Sequence, residues 1–163
     1  MPCHLWSAKT ESDLPTDSRL PRVLHVLLHL DQIDGPVTSQ QIGQMLATNP
    51  ALVRRVMAGL RDAGFVASTK GHGGGWYLLK PLTEISLADV YAALGAPQLF
   101  AVGPSSDNPT CLLERAANKA TAEALEAARS VFQDELAKMT VADLVAPHAE
   151  TIKAFQKGRT SLV

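Results

Sequence analysis

The chain has 163 residues, 46% hydrophobic and only 5% aromatic, which fits one domain with an attached helical arm and an aliphatic core. Two cysteines are too few for a disulfide framework, and neither an apolar run long enough to cross a bilayer nor a secretory signal is present. The formal net charge of -1 hides a basic segment, since five bases stand against one acid between Pro36 and Pro81 while both flanks are acidic. We therefore expect a soluble, cytoplasmic protein whose middle segment meets an anionic partner.

The first half of the chain predicts a polar extension followed by helices. Residues 1–16 are polar with two prolines, and we expect them to be a mobile N-terminal extension. Apolar residues at helical spacing then predict helices over Arg19–Gln32, Gln40–Ala47 and Ala51–Ala63. Capping residue types precede the helices, and Gly64 is suited to end the third.

Two short strands, Phe65–Thr69 and Trp76–Leu79, are predicted next, around the glycine-rich run Lys70–Gly75. They form a β-hairpin with a flexible tip. A capped helix, Leu87–Leu94, follows, and the loop after it leads to a long helix, Leu112–Lys138, with a last turn behind it. The predicted organisation is a domain over 17–95, a loop over 96–111, a long helix with its last turn over 112–146, and a tail over 147–163.

The order helix, short helix, tight turn, helix, hairpin predicts a winged helix-turn-helix, a mainly α fold with a small β wing. In such a fold one helix enters the major groove of DNA and the hairpin reaches the neighbouring groove or backbone. Glycines at the tip allow positive φ and a close approach to phosphate. The residues expected to contact DNA are Ser39, Gln40, Thr48, Asn49, Arg54, Arg55, Lys70, His72, Gly73 and Gly74.

Four segments resemble the Rrf-two family of bacterial transcription regulators: Val37–Ile42, Leu60–Val66, Lys70–Leu78 and Ile85–Tyr91. The wing signature of three glycines followed by an aromatic residue is the most specific of them. The resemblance covers about residues 17–145. It implies a repressor that binds a palindromic operator as a homodimer, with the long helix packed against the partner chain. The residues expected to contact that partner are Leu113, Ala120, Ala124, Leu125, Ala128 and Phe132.

The sequence departs from the cluster-binding members of that family, which carry three cysteines before the long helix. Here that region offers only Cys111, and a [2Fe–2S] cluster needs about four ligands, so we expect no cofactor and a place in the cluster-free branch. Cys111 precedes a helix, where a thiol pKa falls, and it is either a redox or electrophile sensor or a small apolar residue. An oxidant or a small molecule could therefore act as inducer.

Three alternatives stay open at the level of the sequence. His25 and His29 have the i, i+4 spacing of a zinc site, but no third ligand is evident, so packing or a hydrogen bond is the better interpretation and no metal site is expected. The run His72–Trp76 matches the oxyanion loop of lipase-type hydrolases, but no Gly-x-Ser-x-Gly nucleophile motif accompanies it, so we expect no enzyme. A winged-helix module that binds proteins instead of DNA would lack the pair Arg54 and Arg55.

Overall fold

The computed structural model describes residues 17–103, 105, 111–148 and 150. The predicted extension over 1–16 and nearly all of the tail lie outside these residues. The described chain is mainly helical with one two-stranded antiparallel sheet, which confirms the predicted fold class.

The first three helices are α1 (Arg19–Gln32), α2 (Ser39–Met45) and α3 (Pro50–Asp62). Thr38 begins α2 with a reciprocal cap, since the Gln41 N–H donates to its Oγ1 (3.2 Å) and its own N–H donates to Gln41 Oε1 (2.8 Å). Gly64, two residues after α3, adopts the left-handed conformation (φ +76°) that terminates the helix, and the Phe65 N–H then donates to Leu60 O.

The wing is the hairpin of β1 (Val66–Ser68) and β2 (Trp76–Leu78), in which Ala67 pairs with Tyr77. Both strands are shorter than predicted, although the residues beyond them still bond across the hairpin: the Leu79 N–H donates to Phe65 O and the Thr69 N–H to Gly75 O, each at 2.9 Å. A backbone bridge between Val37 and Trp76 extends the sheet, with N–H to O distances of 2.9 and 2.8 Å. The wing is thereby tied to the residue just before α2.

The second half holds α4 (Leu87–Ala93), α5 (Leu112–Ala137) and three 3₁₀ turns, Leu82–Glu84, Ala142–Leu144 and Ala146–His148. After α5 the chain returns to the winged domain. The Leu87 N–H donates to Met139 O and the Val141 N–H donates to Ile85 O, each at 2.9 Å. This bridge fixes the C-terminal end of α5 against the start of α4.

One aliphatic core holds these elements together. It is built from apolar side chains of α1 to α4 and the wing, and Val141 adds to it after α5. The fully enclosed members with the largest side chains are Leu27, Ile42, Met57, Leu60, Ile85, Val66, Val90 and Val141. Among the residues that the structure describes, every buried one is hydrophobic or glycine, so their charged groups lie at the surface.

Candidate nucleic-acid interface

The turn between α2 and α3 is built to bring the two helices close. A Cβ on Gly43 would lie 2.8 Å from Thr48 O, so only glycine fits there. Asn49 begins α3, because its Oδ1 accepts from the Ala51 N–H at 2.7 Å, and Pro50 occupies the first turn. Thr48 is half-buried in this turn, so Thr48 and Asn49 already have structural roles beside any contact with DNA.

Arg54 and Arg55 lie on the exposed surface of α3, two turns or less from its first residue. Neither guanidinium makes an ion pair or hydrogen bond with any residue that the structure describes. Arg61 differs, because it pairs with its neighbour Asp62 at 3.0 Å. Gln40 is also exposed, on the first turn of α2. The N-terminal half of α3 therefore presents two uncompensated positive charges to solvent.

The wing tip adds exposed polar groups. Lys70, His72 and Gly73 are exposed, and Gly73 has the positive φ (+79°) that the sequence predicted for the tip. Gly74 serves a different purpose, since a Cβ there would lie 2.4 Å from Thr69 O within the same turn. The tight turn of the hairpin therefore requires a residue without a side chain at this position.

Ser39 does not point freely toward solvent. Its Oγ accepts a hydrogen bond from Trp76 Nε1 at 2.9 Å, and the residue is half-buried. Beside it, a Cβ on Gly75 would lie 2.6 Å from the carbonyl oxygen of Val37. Ser39, Trp76, Gly75 and Val37 thus form a junction, here called the wing anchor, which holds the wing against α2. Sequence reasoning missed this junction, because its two halves are 37 residues apart.

Helix α5 carries two apolar stripes with different surroundings. The inner stripe is half-buried, and it reaches the winged domain where the Phe132 ring packs edge-on against Tyr91 (centroids 5.4 Å apart). Its apolar members are Leu125, Ala128, Phe132 and Leu136. The outer stripe is exposed, with Leu113 81% and Val131 62% accessible. Its members are Leu113, Ala117, Ala120, Ala124, Ala127 and Val131.

The predicted partner contacts fall on both stripes. Leu113, Ala120 and Ala124 belong to the outer stripe, whereas the other three face the chain's own domain or its edge. The outer stripe repeats every four and then three residues, the spacing of a coiled-coil seam. Not one residue of α5 is buried, so a 26-residue helix has its apolar seam in water.

Cys111 lies exposed directly before α5. Its sulfur makes no full capping hydrogen bond, but the backbone N–H groups of Glu114 and then Leu113 approach it and lower the pKa of the thiol. Around it the donors for an iron–sulfur cluster are missing. The whole sequence has two cysteines, and no group of three His, Cys, Asp or Glu in the described residues could hold a metal. The residues present do not fit such a cluster.

His25 and His29 form a hydrogen-bonded pair on α1, which confirms the interpretation preferred from the sequence. Their Nε2 atoms are 2.8 Å apart, and the rings are tilted by 53°. Partial burial lowers the pKa of His29, and repulsion from His25 adds to this effect.

A helix-turn-helix core, two exposed arginines on α3 and a hairpin anchored to the start of α2 are the features of a winged-helix transcription regulator. The family model Rrf2 (Rrf-two), described as an iron-dependent transcriptional regulator, matches residues 16–147, and the chain belongs to this family. The family and the chain's named relatives regulate transcription and are not enzymes. In the part of the chain that the structure describes, no helix could span a membrane.

Three similar proteins illustrate the relationship. YwnA of Bacillus subtilis (strain 168), named as a candidate HTH-type transcriptional regulator, is 32% identical over 130 residues, which cover 79% of this chain and 96% of YwnA. A crystal structure of a candidate DNA-binding protein has a TM-score of 0.64 at 29% identity and covers 78% of this chain and 99% of that one. The cysteine regulator CymR of B. subtilis shares the fold, with a TM-score of 0.56 at 20% identity over 82% of this chain and 97% of CymR.

Proposed function

We propose that this regulator is a cytoplasmic repressor that binds a palindromic operator as a homodimer. The observation that supports DNA contact most directly is the pair of exposed, unpaired arginines on α3, Arg54 and Arg55, next to a basic wing tip. Consecutive residues on a helix point about 100° apart, so one arginine can reach a base edge while the other contacts phosphate. Lys70 and His72 extend the contact to the backbone.

Charge favours DNA over a protein partner. A winged helix that binds proteins has no need for unpaired arginines on its recognition helix, and an arginine without a partner is costly to cover with an apolar surface. Phosphate, by contrast, pairs with guanidinium in a bidentate manner. The basic segment from Pro36 to Pro81 agrees with this, because it concentrates positive charge in the part of the chain that forms α2, α3 and the wing.

The test of the proposed function is a genome-wide pull-down of DNA fragments with the purified full chain, followed by gel shifts on the recovered sites. We expect an inverted repeat whose half-sites lie one helical turn, about 34–36 Å, apart. Scrambled fragments of equal length are the control. Recovery of fragments without a common motif, bound no better than the scrambled ones, contradicts sequence-specific regulation.

The homodimer is supported by the outer stripe of α5. Alanines at a seam allow two helices to approach closely, and the flanking Leu113 and Val131 supply larger apolar contacts. A two-fold axis would place this stripe against the same stripe of the partner, so both subunits would contribute the same surface to the interface. The inner stripe cannot do the same, because Phe132 is already engaged with Tyr91 of its own chain.

The dimer prediction uses a glutamate scan of α5. Ala120→Glu and Ala124→Glu should each raise the dimer dissociation constant at least about 100-fold, since each places two carboxylates in one apolar seam, at a cost of several kcal/mol. Ala122→Glu is the matched control, because Ala122 is exposed on the same helix but off the outer stripe. Analytical ultracentrifugation measures the result. Equal dimerisation of all three variants would place the interface elsewhere.

Cys111 is proposed as the sensor of the inducing signal. Because its thiol pKa is lowered, more thiolate is present at neutral pH than for an ordinary cysteine. Peroxide would be attacked by this sulfur, so that the O–O bond breaks and a sulfenic acid and hydroxide form. The product adds a polar group at the start of α5, where the dimer seam begins.

For the sensor, we expect the alkylation rate of Cys111 to reach half its maximum at a lower pH than that of an unperturbed thiol, about 8.5. Peroxide should weaken operator binding by the wild-type protein, and Cys111→Ser should abolish this response while it keeps the basal affinity. Cys3→Ser is the matched control and should respond like wild type. Operator affinity that stays the same under peroxide, hypochlorite and electrophiles rules out the sensor.

A further inference from the structure

An apolar cavity of about 50 Å³ lies inside the helix-turn-helix, where α1, α2 and α3 meet. Its apolar walls come from α1, α2 with the residue that follows it, and α3: Val23, Val26, Ile42, Leu46, Val53, Val56 and Met57. Leu46 and Val56 are only half-buried, so the aliphatic lining is open on one side.

The mouth of this cavity is positively charged. It is formed by Ser18, Arg19 and Arg22 of α1 and by Thr48 and Leu52 near the start of α3. Asp17 neutralises Arg19 through an ion pair, whereas the exposed Arg22 guanidinium pairs with none of the described residues. The Ser18 hydroxyl makes no capping hydrogen bond. An uncompensated cation and hydroxyl groups therefore surround an apolar opening.

We propose that this cavity is an effector site for a short-chain carboxylate. The carboxylate would pair with Arg22, with hydrogen bonds from Ser18 and Thr48 available to it. The apolar tail would enter between the three helices. A cavity of 150 Å³ holds benzene, so the present one accepts a group of about two or three carbon atoms, such as an isopropyl group. Short branched-chain acids have this shape and charge.

The regulatory consequence rests on the proposed DNA-binding function. Leu52 and Val53 of the cavity immediately precede Arg54 and Arg55 on α3. A bound carboxylate brings negative charge next to the surface that would face phosphate, and it also neutralises Arg22. The ligand should therefore lower operator affinity several-fold.

The first measurement is calorimetric titration of the full chain, without DNA, with 3-methylbutanoate. We expect a dissociation constant of about 0.1–1 mM, as suits a ligand of so few atoms. Acetate lacks the tail and should bind at least tenfold more weakly, since each buried methylene is worth about fourfold. The alcohol 3-methylbutan-1-ol lacks the charge and should also bind at least tenfold more weakly. Equal binding of all three compounds, or none, overturns the proposal.

Two variants test the assignment of residues. Arg22→Gln should abolish 3-methylbutanoate binding, and Arg115→Gln, an exposed arginine on α5, should not. Val56→Leu fills the cavity and should exclude the tail. Because Val56 is half-buried, urea denaturation must show that the Val56→Leu variant is folded. If Val56→Leu does not fold, the exposed Arg22→Gln substitution still tests the site. Unchanged binding in Arg22→Gln overturns the site, and a loss of DNA affinity alone would identify Arg22 as a phosphate contact instead.

The same titrations separate this proposal from the proposed function. Ligand binding is measured without DNA, so its failure leaves operator binding untouched. If 3-methylbutanoate binds as expected but no specific DNA site is found, the regulator proposal fails and the ligand site stands. Operator affinity that is unchanged by saturating 3-methylbutanoate contradicts the regulatory step.

Discussion

Replacing Arg54 or Arg55 with alanine should weaken operator binding by about 1–3 kcal/mol for each half-site at which that arginine reads a guanine. Because a homodimer carries two copies, the loss should appear twice, as about 2–6 kcal/mol in total. The physical reason is that each guanidinium is exposed and unpaired, so its removal costs the free protein nothing. Fluorescence anisotropy on the recovered operator measures the effect.

A comparison of specific and random DNA distinguishes the two possible roles of these arginines. A base-reading residue loses specific affinity much more than non-specific affinity, whereas a phosphate contact loses both alike and lowers the salt slope by about one unit per contact. Arg129→Ala is the control, since Arg129 pairs with Glu126 on α5 at 3.9 Å. Full operator affinity in both α3 variants would contradict the assignment of α3 as the recognition helix.

Gly75→Ala should destabilise the fold by about 2–4 kcal/mol, the sum of overpacking and weakened hydrogen bonds. The added Cβ would lie 2.6 Å from backbone atoms of Val37, which cannot move without breaking the Val37–Trp76 bridge. Urea denaturation measures the loss. The wing should also separate from α2, which would be seen as a change in Trp76 fluorescence because its bond to Ser39 is lost.

Gly103→Ala is the matched control for this substitution. A Cβ on Gly103 would meet nothing within 4 Å, and its φ is not in the left-handed region. We expect its free energy of unfolding to stay within about 0.5 kcal/mol of wild type. A Gly75→Ala variant as stable as this control would mean that the wing anchor is not a tight junction.

Local signals predicted the elements well, because the residues that start and end them act on their own neighbours. Thr38 and Asn49 cap helices within three residues, and the Thr140 N–H likewise donates to Oδ2 of Asp143, three residues on, at 2.8 Å. The wing anchor could not be predicted in this way. Ser39 was expected to contact DNA, but its bond to Trp76 depends on how the hairpin folds back onto α2.

The long helix shows a second limit. Alanines occur on nearly every side of α5, so the sequence does not show which of them share a face. The predicted set of partner contacts therefore mixes residues of the inner and outer stripes. The half-burial of the inner stripe and the contact of Phe132 with Tyr91 separate the two, because they show which side meets the winged domain. The cavity near Arg22 was missed for a related reason: Arg22 lies in an acidic stretch of sequence, and its position beside α3 arises from the packing of three helices.

The backbone bridge that joins the end of α5 to the start of α4 has a mechanical consequence in the proposed dimer. It ties the end of α5 to the winged domain by two backbone hydrogen bonds, so we expect a rotation of one long helix against the other to move the winged domain with it. With 26 residues, α5 is about 39 Å long, and a change of only about 10° in crossing angle displaces a point 20 Å from the crossing by about 3.5 Å. That displacement equals the rise of one base pair along DNA, about 3.4 Å, so a minor angular change suffices to put the two half-sites out of register.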